Sequence, residues 1–171
     1  MRYGEREEYF MRQALQLARQ ALQTGDIPVG AVVVRGNEII GAGCNTREAQ
    51  GNALHHAEIV AIDGACRRMG SWRLSGCELF VTLEPCPMCA GAILNARIDR
   101  VVYGAADEKA GCLGSLMNLY AFPFNHRPLI QAGVLEPECR HILQNFFLEL
   151  RNTPETEQKT VKTHNPSWET V

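Results

Sequence analysis

The alternation of strand-type and helix-type segments after residue 56 constrains this 171-residue chain more than any other feature. A helical pattern over His56–Met69, stopped by Gly70, precedes the short apolar run Cys77–Leu83 between turn residues. Pro85 then opens the segment CPMCAGAILNA, which reads as a helix with proline at its first position. Arg100–Tyr103 reads as another strand, and a last helix runs from Leu135 to Arg151. Strands separated by helices form βαβ units, so this part predicts a parallel sheet covered by helices. Upstream, apolar residues at 10, 14, 17, 21 and at 11, 15, 18, 22 make one wide helical face, closed by Gly25. Ile27-Pro28-Val29-Gly30 leads into the β-branched run Ala31–Val34, and Gly36-Asn37 turns it into Glu38–Ala42 as a hairpin. Residues 46–54 are polar and read as a loop. The expected fold class is α/β: three layers, with an antiparallel hairpin joined to the parallel part of a mixed sheet.

Composition bounds the rest. A chain that is 46% hydrophobic and 21% charged is neither collagen-like nor disordered throughout. No stretch approaches the roughly 20 apolar residues of a membrane span, and MRYGEREEYF lacks the apolar run of a signal peptide. The expectation is a cytoplasmic protein with no membrane partner. One domain is expected over residues 1–151, and residues 152–171, aperiodic and rich in Thr, Glu and Pro, read as a mobile tail. Seven cysteines at irregular spacing, with no export signal, favour thiols or metal ligands over a disulfide framework. The net charge of −2 decides nothing about an anionic partner. Fourteen of the 17 basic residues are Arg, which suits phosphate contact and surface ion pairs alike.

Two short segments carry the chemistry: His56-Ala57-Glu58 and Pro85-Cys86-Pro87-Met88-Cys89. Cysteines three apart on a first helical turn point the same way, a spacing that suits two ligands of one zinc ion. A helix N-terminus favours the thiolate, the form that binds metal. His56 supplies a third, nitrogen ligand, and three protein ligands leave one tetrahedral position for water. Two thiolates cancel the charge of a zinc dication, so its water needs a nearby base, and Glu58 is the candidate. Taken alone, Cys-x-x-Cys after a strand is also the redox dithiol pattern, and His-x-Glu is ordinary helix surface. Together on a strand–helix frame they point to hydrolytic metal chemistry.

These two segments form the signature of zinc nucleobase deaminases. The chain resembles the bacterial TadA-type tRNA adenosine deaminases along almost its whole length to about Arg151. The resemblance rests on Ile27-Pro28-Val29-Gly30-Ala31-Val32, Val81-Thr82-Leu83-Glu84-Pro85-Cys86, Cys89-Ala90-Gly91-Ala92, Gly114-Ser115-Leu116-Met117, Asn125-His126-Arg127 and Phe146-Phe147. It implies the cytidine-deaminase-like fold with a five-stranded sheet, a homodimer, and hydrolytic conversion of adenosine to inosine at the wobble position of a tRNA anticodon. It implies one zinc held by His56, Cys86 and Cys89, no nucleotide cofactor, and Glu58 moving a proton from water to the ring and to the departing amine. By the same resemblance Asn45 contacts the base edge, Pro28 and Val29 wall the base pocket, and Asp107 and Lys109 lie near the anticodon backbone. Phe147 and Arg151 would contact the anticodon stem-loop from the last helix. Asn can offer both donor and acceptor to adenine, and residues four apart on a helix form one ridge. Residues 52–55 read Asn-Ala-Leu-His where many members carry Asp-Pro-Thr-Ala, and spacing to Glu58 favours His56 over His55 as the ligand. A free purine-base deaminase of the guanine type shares the same string and is the alternative, but it would not call for an RNA-facing final helix.

Overall fold

The structure, a computed structural model, describes residues 4–152. The segment read as a tail therefore lies outside the described residues, except for Asn152, which ends the last helix. The elements are α1 (Glu5–Gln23), β1 (Gly30–Arg35), β2 (Glu38–Cys44), α2 (Arg47–Gln50), α3 (Ala57–Met69), β3 (Cys77–Leu83), α4 (Pro87–Ala96), β4 (Arg100–Ala105), β5 (Leu129–Gln131) and α5 (Glu136–Asn152), with a 3-10 turn at Leu119–Ala121.

The five strands lie in the order β2-β1-β3-β4-β5. β1 runs antiparallel to β2 and β3, while β3, β4 and β5 are parallel. In register, Ala42, Val32, Phe80, Val102 and Gln131 form one row across all five. The sheet is thus the expected mixture of hairpin and βαβ parts. Side chains alternate between faces along a strand, and the two helix layers follow that alternation. At Gly30 an added Cβ would stand 2.5 Å from the Ala18 amide nitrogen of α1. At Gly43, whose cross-strand partner is Ala31 on the other face, it would stand 2.6 Å from the Ala57 carbonyl oxygen of α3. Only glycine lets these helices approach so closely, and the approach at Gly43 seats the first turn of α3 directly on β2. α5 packs beside α1 and α4 beside α3, completing three layers. Phe10 of α1 and Phe80 of β3, both fully buried, meet with ring centroids 5.2 Å apart in the core.

The two ends of the parallel strands differ in purpose. At their N-terminal end Arg100 pairs with Glu7 at 2.9 Å and Glu78 at 2.6 Å, and Arg6 also pairs with Glu78 at 2.6 Å. This network ties α1 to β3 and β4. Their C-terminal end, where crossover sheets place binding sites, carries the metal-ligand candidates.

Three local readings change. Residues 46–54 include the single helical turn α2, because the buried Asp26 carboxylate accepts the Glu48 and Ala49 amides at 2.8 and 3.1 Å. Four residues are too few for a periodic signal. The zinc-motif helix starts with Pro87 at its first position and Cys86 as N-cap, so Cys86 precedes the first turn. β5, only three residues long and exposed at Leu129 and Ile130, has no apolar pattern from which to read a strand.

Candidate metal centre and active site

Two helix N-termini converge at the C-terminal end of the parallel strands. His56 is the N-cap of α3 and Glu58 lies in its first turn, while Cys86 is the N-cap of α4 and Cys89 lies three residues further on. Unpaired amides and the helix dipoles favour negative charge here, which suits thiolates and a carboxylate. His56 Nδ1 lies 3.7 Å from Cys86 Sγ and 3.6 Å from Cys89 Sγ, and the three ligand atoms are all within 4.8 Å of one another. A tetrahedral zinc with bonds of about 2.3 Å to sulfur and about 2.0–2.1 Å to nitrogen requires S···N separations of about 3.5 Å. The residues present therefore fit a metal of that kind. Among the described residues this is the one group of three or more such side chains so placed.

The protonation pattern follows the geometry. The Cys86 thiol is pushed down to about 4, first because the Cys89 thiol donates to it and then because His56 does, both against burial. Cys89, as the donor, is pushed up, with burial adding to the effect. Of the two sulfurs, Cys86 is thus the more readily ionised. His56 is raised, chiefly through its hydrogen bond to Cys86. Glu58 is 4% exposed, and burial pushes it up to about 7. Its carboxylate borders the sulfurs and the imidazole but is not in the three-residue ligand group.

Around this cluster the other anticipated residues divide. Asn45 is buried, and its Oδ1 accepts the Ala57 amide at 2.9 Å, while its backbone amide donates to the Val29 carbonyl at 3.1 Å. Asn45 thus joins the Pro28-Val29 wall, itself buried, to the first residue of α3. One lone pair of Oδ1 is thus engaged, which leaves its second lone pair and the Nδ2 hydrogens without a partner among the described residues. Asp107 is half-buried, and its Oδ1 accepts the Lys109 and Ala110 amides at 2.9 and 3.2 Å. It organises its own turn, and Lys109 projects from that turn, exposed. Phe147 is 42% exposed and Arg151 exposed on α5, while Phe146 is half-buried. The neighbouring imidazole, His55, is engaged with the Thr46 hydroxyl at 3.4 Å. All seven cysteines are free thiols.

The sequence reading did not single out Asp26 or Glu84, two buried carboxylates that each organise a loop. Glu84 is 2% exposed and follows β3 directly. Burial alone would raise its pKa, but hydrogen bonds from the Ser115 hydroxyl and from the Asp107, Ser115 and Leu113 amides hold it below the ordinary carboxylate range. These partners come 23 to 31 residues later in the chain, so no local spacing announces them.

Known proteins place the chain in a family. A MafB19-like deaminase family model matches residues 5–151. The tRNA-specific adenosine deaminase of Bacillus subtilis is 46% identical over 156 residues, 91% of this chain and 97% of that one. The Streptococcus pyogenes serotype M1 protein of the same name is 43% identical over 92% of this chain and 93% of its own. A solved structure from studies of A-to-I editing by tRNA:A34 deaminases at the wobble position superposes with a TM-score of 0.77 at 41% identity, covering 79% of this chain and 99% of its own. Guanine deaminase from Bacillus subtilis superposes less well, with a TM-score of 0.57 at 32% identity over 86% of this chain and 95% of its own. Sharing nearly half its residues with the Bacillus subtilis enzyme along almost the full length of both chains, this protein belongs to the family of tRNA-specific adenosine deaminases.

Proposed function

We propose that this protein hydrolyses adenosine to inosine at the wobble position of a tRNA anticodon and releases ammonia. The observation that carries the reading is the buried Glu58 carboxylate beside, but outside, the His56–Cys86–Cys89 group, in a chain so close to named tRNA deaminases. His56, Cys86 and Cys89 would hold one zinc ion, which when bound supplies Lewis-acid activation of water. Glu58 accepts a proton from the attacking water and passes it to ring N1. It then carries the second proton to the exocyclic nitrogen, which leaves as ammonia while C6 keeps the oxygen. Asn45 Nδ2 donates to an acceptor on the base edge, and Pro28 and Val29 exclude water behind it. An unpaired loop base enters such a pocket with little loss of stacking.

The larger assembly follows the same reading. Asp107, Lys109, Phe147 and Arg151 contact the anticodon stem-loop, and residues 1–151 form one catalytic domain. The protein acts as a homodimer: the exposed Leu116, Met117, Phe122 and Phe124 are apolar surface suited to a second copy. We assign it to the cytoplasm; among the described residues no helix is long and apolar enough to cross a membrane.

Ammonia release is the direct test, comparing an anticodon stem-loop carrying adenosine at the wobble position with free adenosine, guanine and cytidine. Efficient turnover of the stem-loop alone is expected, and faster turnover of guanine would replace this reading with the free-base one. Arg151→Ala is expected to weaken stem-loop binding about 3- to 10-fold and to reduce the salt slope by about 0.7–1, the loss of one phosphate contact. An unchanged slope in a binding titration removes Arg151 from the interface.

A further inference from the structure

The segment between Asp107 and Ser115 carries two residues assigned above to RNA, yet it contains no helix or strand that would fix it. Its anchor is the carboxylate of Glu84. Oε1 accepts the Leu113 amide at 2.8 Å and the Ser115 amide at 3.1 Å. Oε2 accepts the Asp107 amide at 3.1 Å and the Ser115 hydroxyl. No Lys or Arg pairs with this buried carboxylate among the described residues, so its charge is compensated by donors of the loop alone. The fit is close: a Cβ at Gly111 would stand 2.5 Å from Glu84 Cδ, so the loop backbone lies flat on the carboxylate. The adjacent Pro85 carbonyl takes both the Cys112 amide at 3.1 Å and the Cys112 thiol at 3.3 Å. Tyr120, further along, donates to the Ala90 carbonyl of α4 at 3.1 Å. The loop is therefore registered on the two residues that precede Cys86. Within it, the Asp107 carboxylate accepts the Lys109 amide, so the setting of Asp107 is passed to Lys109.

We propose that Glu84 is a positioning residue for the RNA substrate: it holds the Asp107–Lys109 turn at a fixed offset from Cys86, so that the anticodon backbone and the reacting base are gripped in one register. This rests on the RNA-deaminase reading above. It extends that reading by giving a non-contacting side chain control over substrate binding rather than over the chemical step.

Glu84→Gln separates the contacts. The amide keeps Oε1 for Leu113 and Ser115 but places an NH2 where Oε2 stood. The Ser115 hydroxyl can rotate to accept from it, whereas the Asp107 amide then faces a donor. In the full-length, zinc-loaded protein, amide exchange at Asp107 is expected to speed up at least about tenfold, with Leu113 and Ser115 still protected. With the stem-loop as substrate, KM is expected to rise about tenfold and kcat to stay within about threefold, because uniform binding is lost and the chemistry is not. A purely structural role would lower the active fraction, and so kcat, at constant KM. Unchanged exchange at Asp107, or a fall in kcat at constant KM, overturns the proposal. Failure of the wild-type protein to act on the stem-loop would instead defeat the RNA reading, while the exchange data still decide whether Glu84 anchors the turn. If Glu84→Gln does not fold, Ser115→Ala, which removes one donor from the same oxygen, decides: a KM raised about threefold supports the proposal and an unchanged KM overturns it.

Discussion

Replacing Glu58 by Gln should leave about one zinc per chain and lower turnover by about 10³–10⁴-fold, the scale of a lost general acid–base. The substitution keeps size and shape in a site where the side chain is 4% exposed, so packing around the first turn of α3 is preserved. What disappears is a group able to accept and return a proton. Burial raises Glu58 to about 7, which is where a residue serving as both base and acid at neutral pH works best. In the proposed reaction the group acts twice, once toward ring N1 and once toward the departing amine. Ammonia release, with metal content measured on the same sample, checks both halves. Loss of zinc in Glu58→Gln would make Glu58 a ligand, and activity within tenfold of wild type would end its role as proton carrier.

How much of this was legible beforehand depended on whether the determining contacts are local. The fold class was readable because its signals are short-range: the four-three-four apolar steps of α1, the Gly36-Asn37 turn, and the β-branched run of β1. The metal group was readable for a related reason. His56, Cys86 and Cys89 all sit at helix N-termini, and α3 and α4 start beside each other because β3 lies between them in the chain. Contacts made across the sequence were not readable. α2 exists because Asp26, more than 20 residues upstream, takes its first amides, and the 107–115 loop is shaped by a carboxylate 23 residues before it. Asn45 is the instructive intermediate. A contact with the base is proposed for it from resemblance, but that its oxygen already accepts the Ala57 amide is visible only in three dimensions. The Ala57 amide fixes the orientation of the side chain, and with it the direction in which the remaining lone pair and the Nδ2 hydrogens point.

Cys89→Ser is expected to abolish zinc binding and to lower activity more than 10³-fold while the chain stays folded. A serine hydroxyl does not ionise near neutrality, so the site would keep one thiolate and one imidazole, too few to hold the ion or neutralise its charge. Folding should survive because the ligands lie at the starts of helices that are anchored independently: α3 is seated against β2 at Gly43, and α4 carries the fully buried Ile93. Circular dichroism of the variant is expected to match wild type. Metal loading of the native protein tests the same site from the other side. Since Cys89 is held protonated by its neighbours and His56 is raised, engaging all three ligands should release at least about one proton per zinc, and the apparent affinity should rise with pH. Calorimetry in buffers of different ionisation enthalpy measures that number. Cys112→Ser serves as the control: its thiol is held by the Pro85 carbonyl and belongs to no ligand group, so zinc content should not change. A Cys89→Ser protein that keeps full zinc and full turnover would show that the metal sits elsewhere, and with it the chemistry assigned to this corner of the sheet.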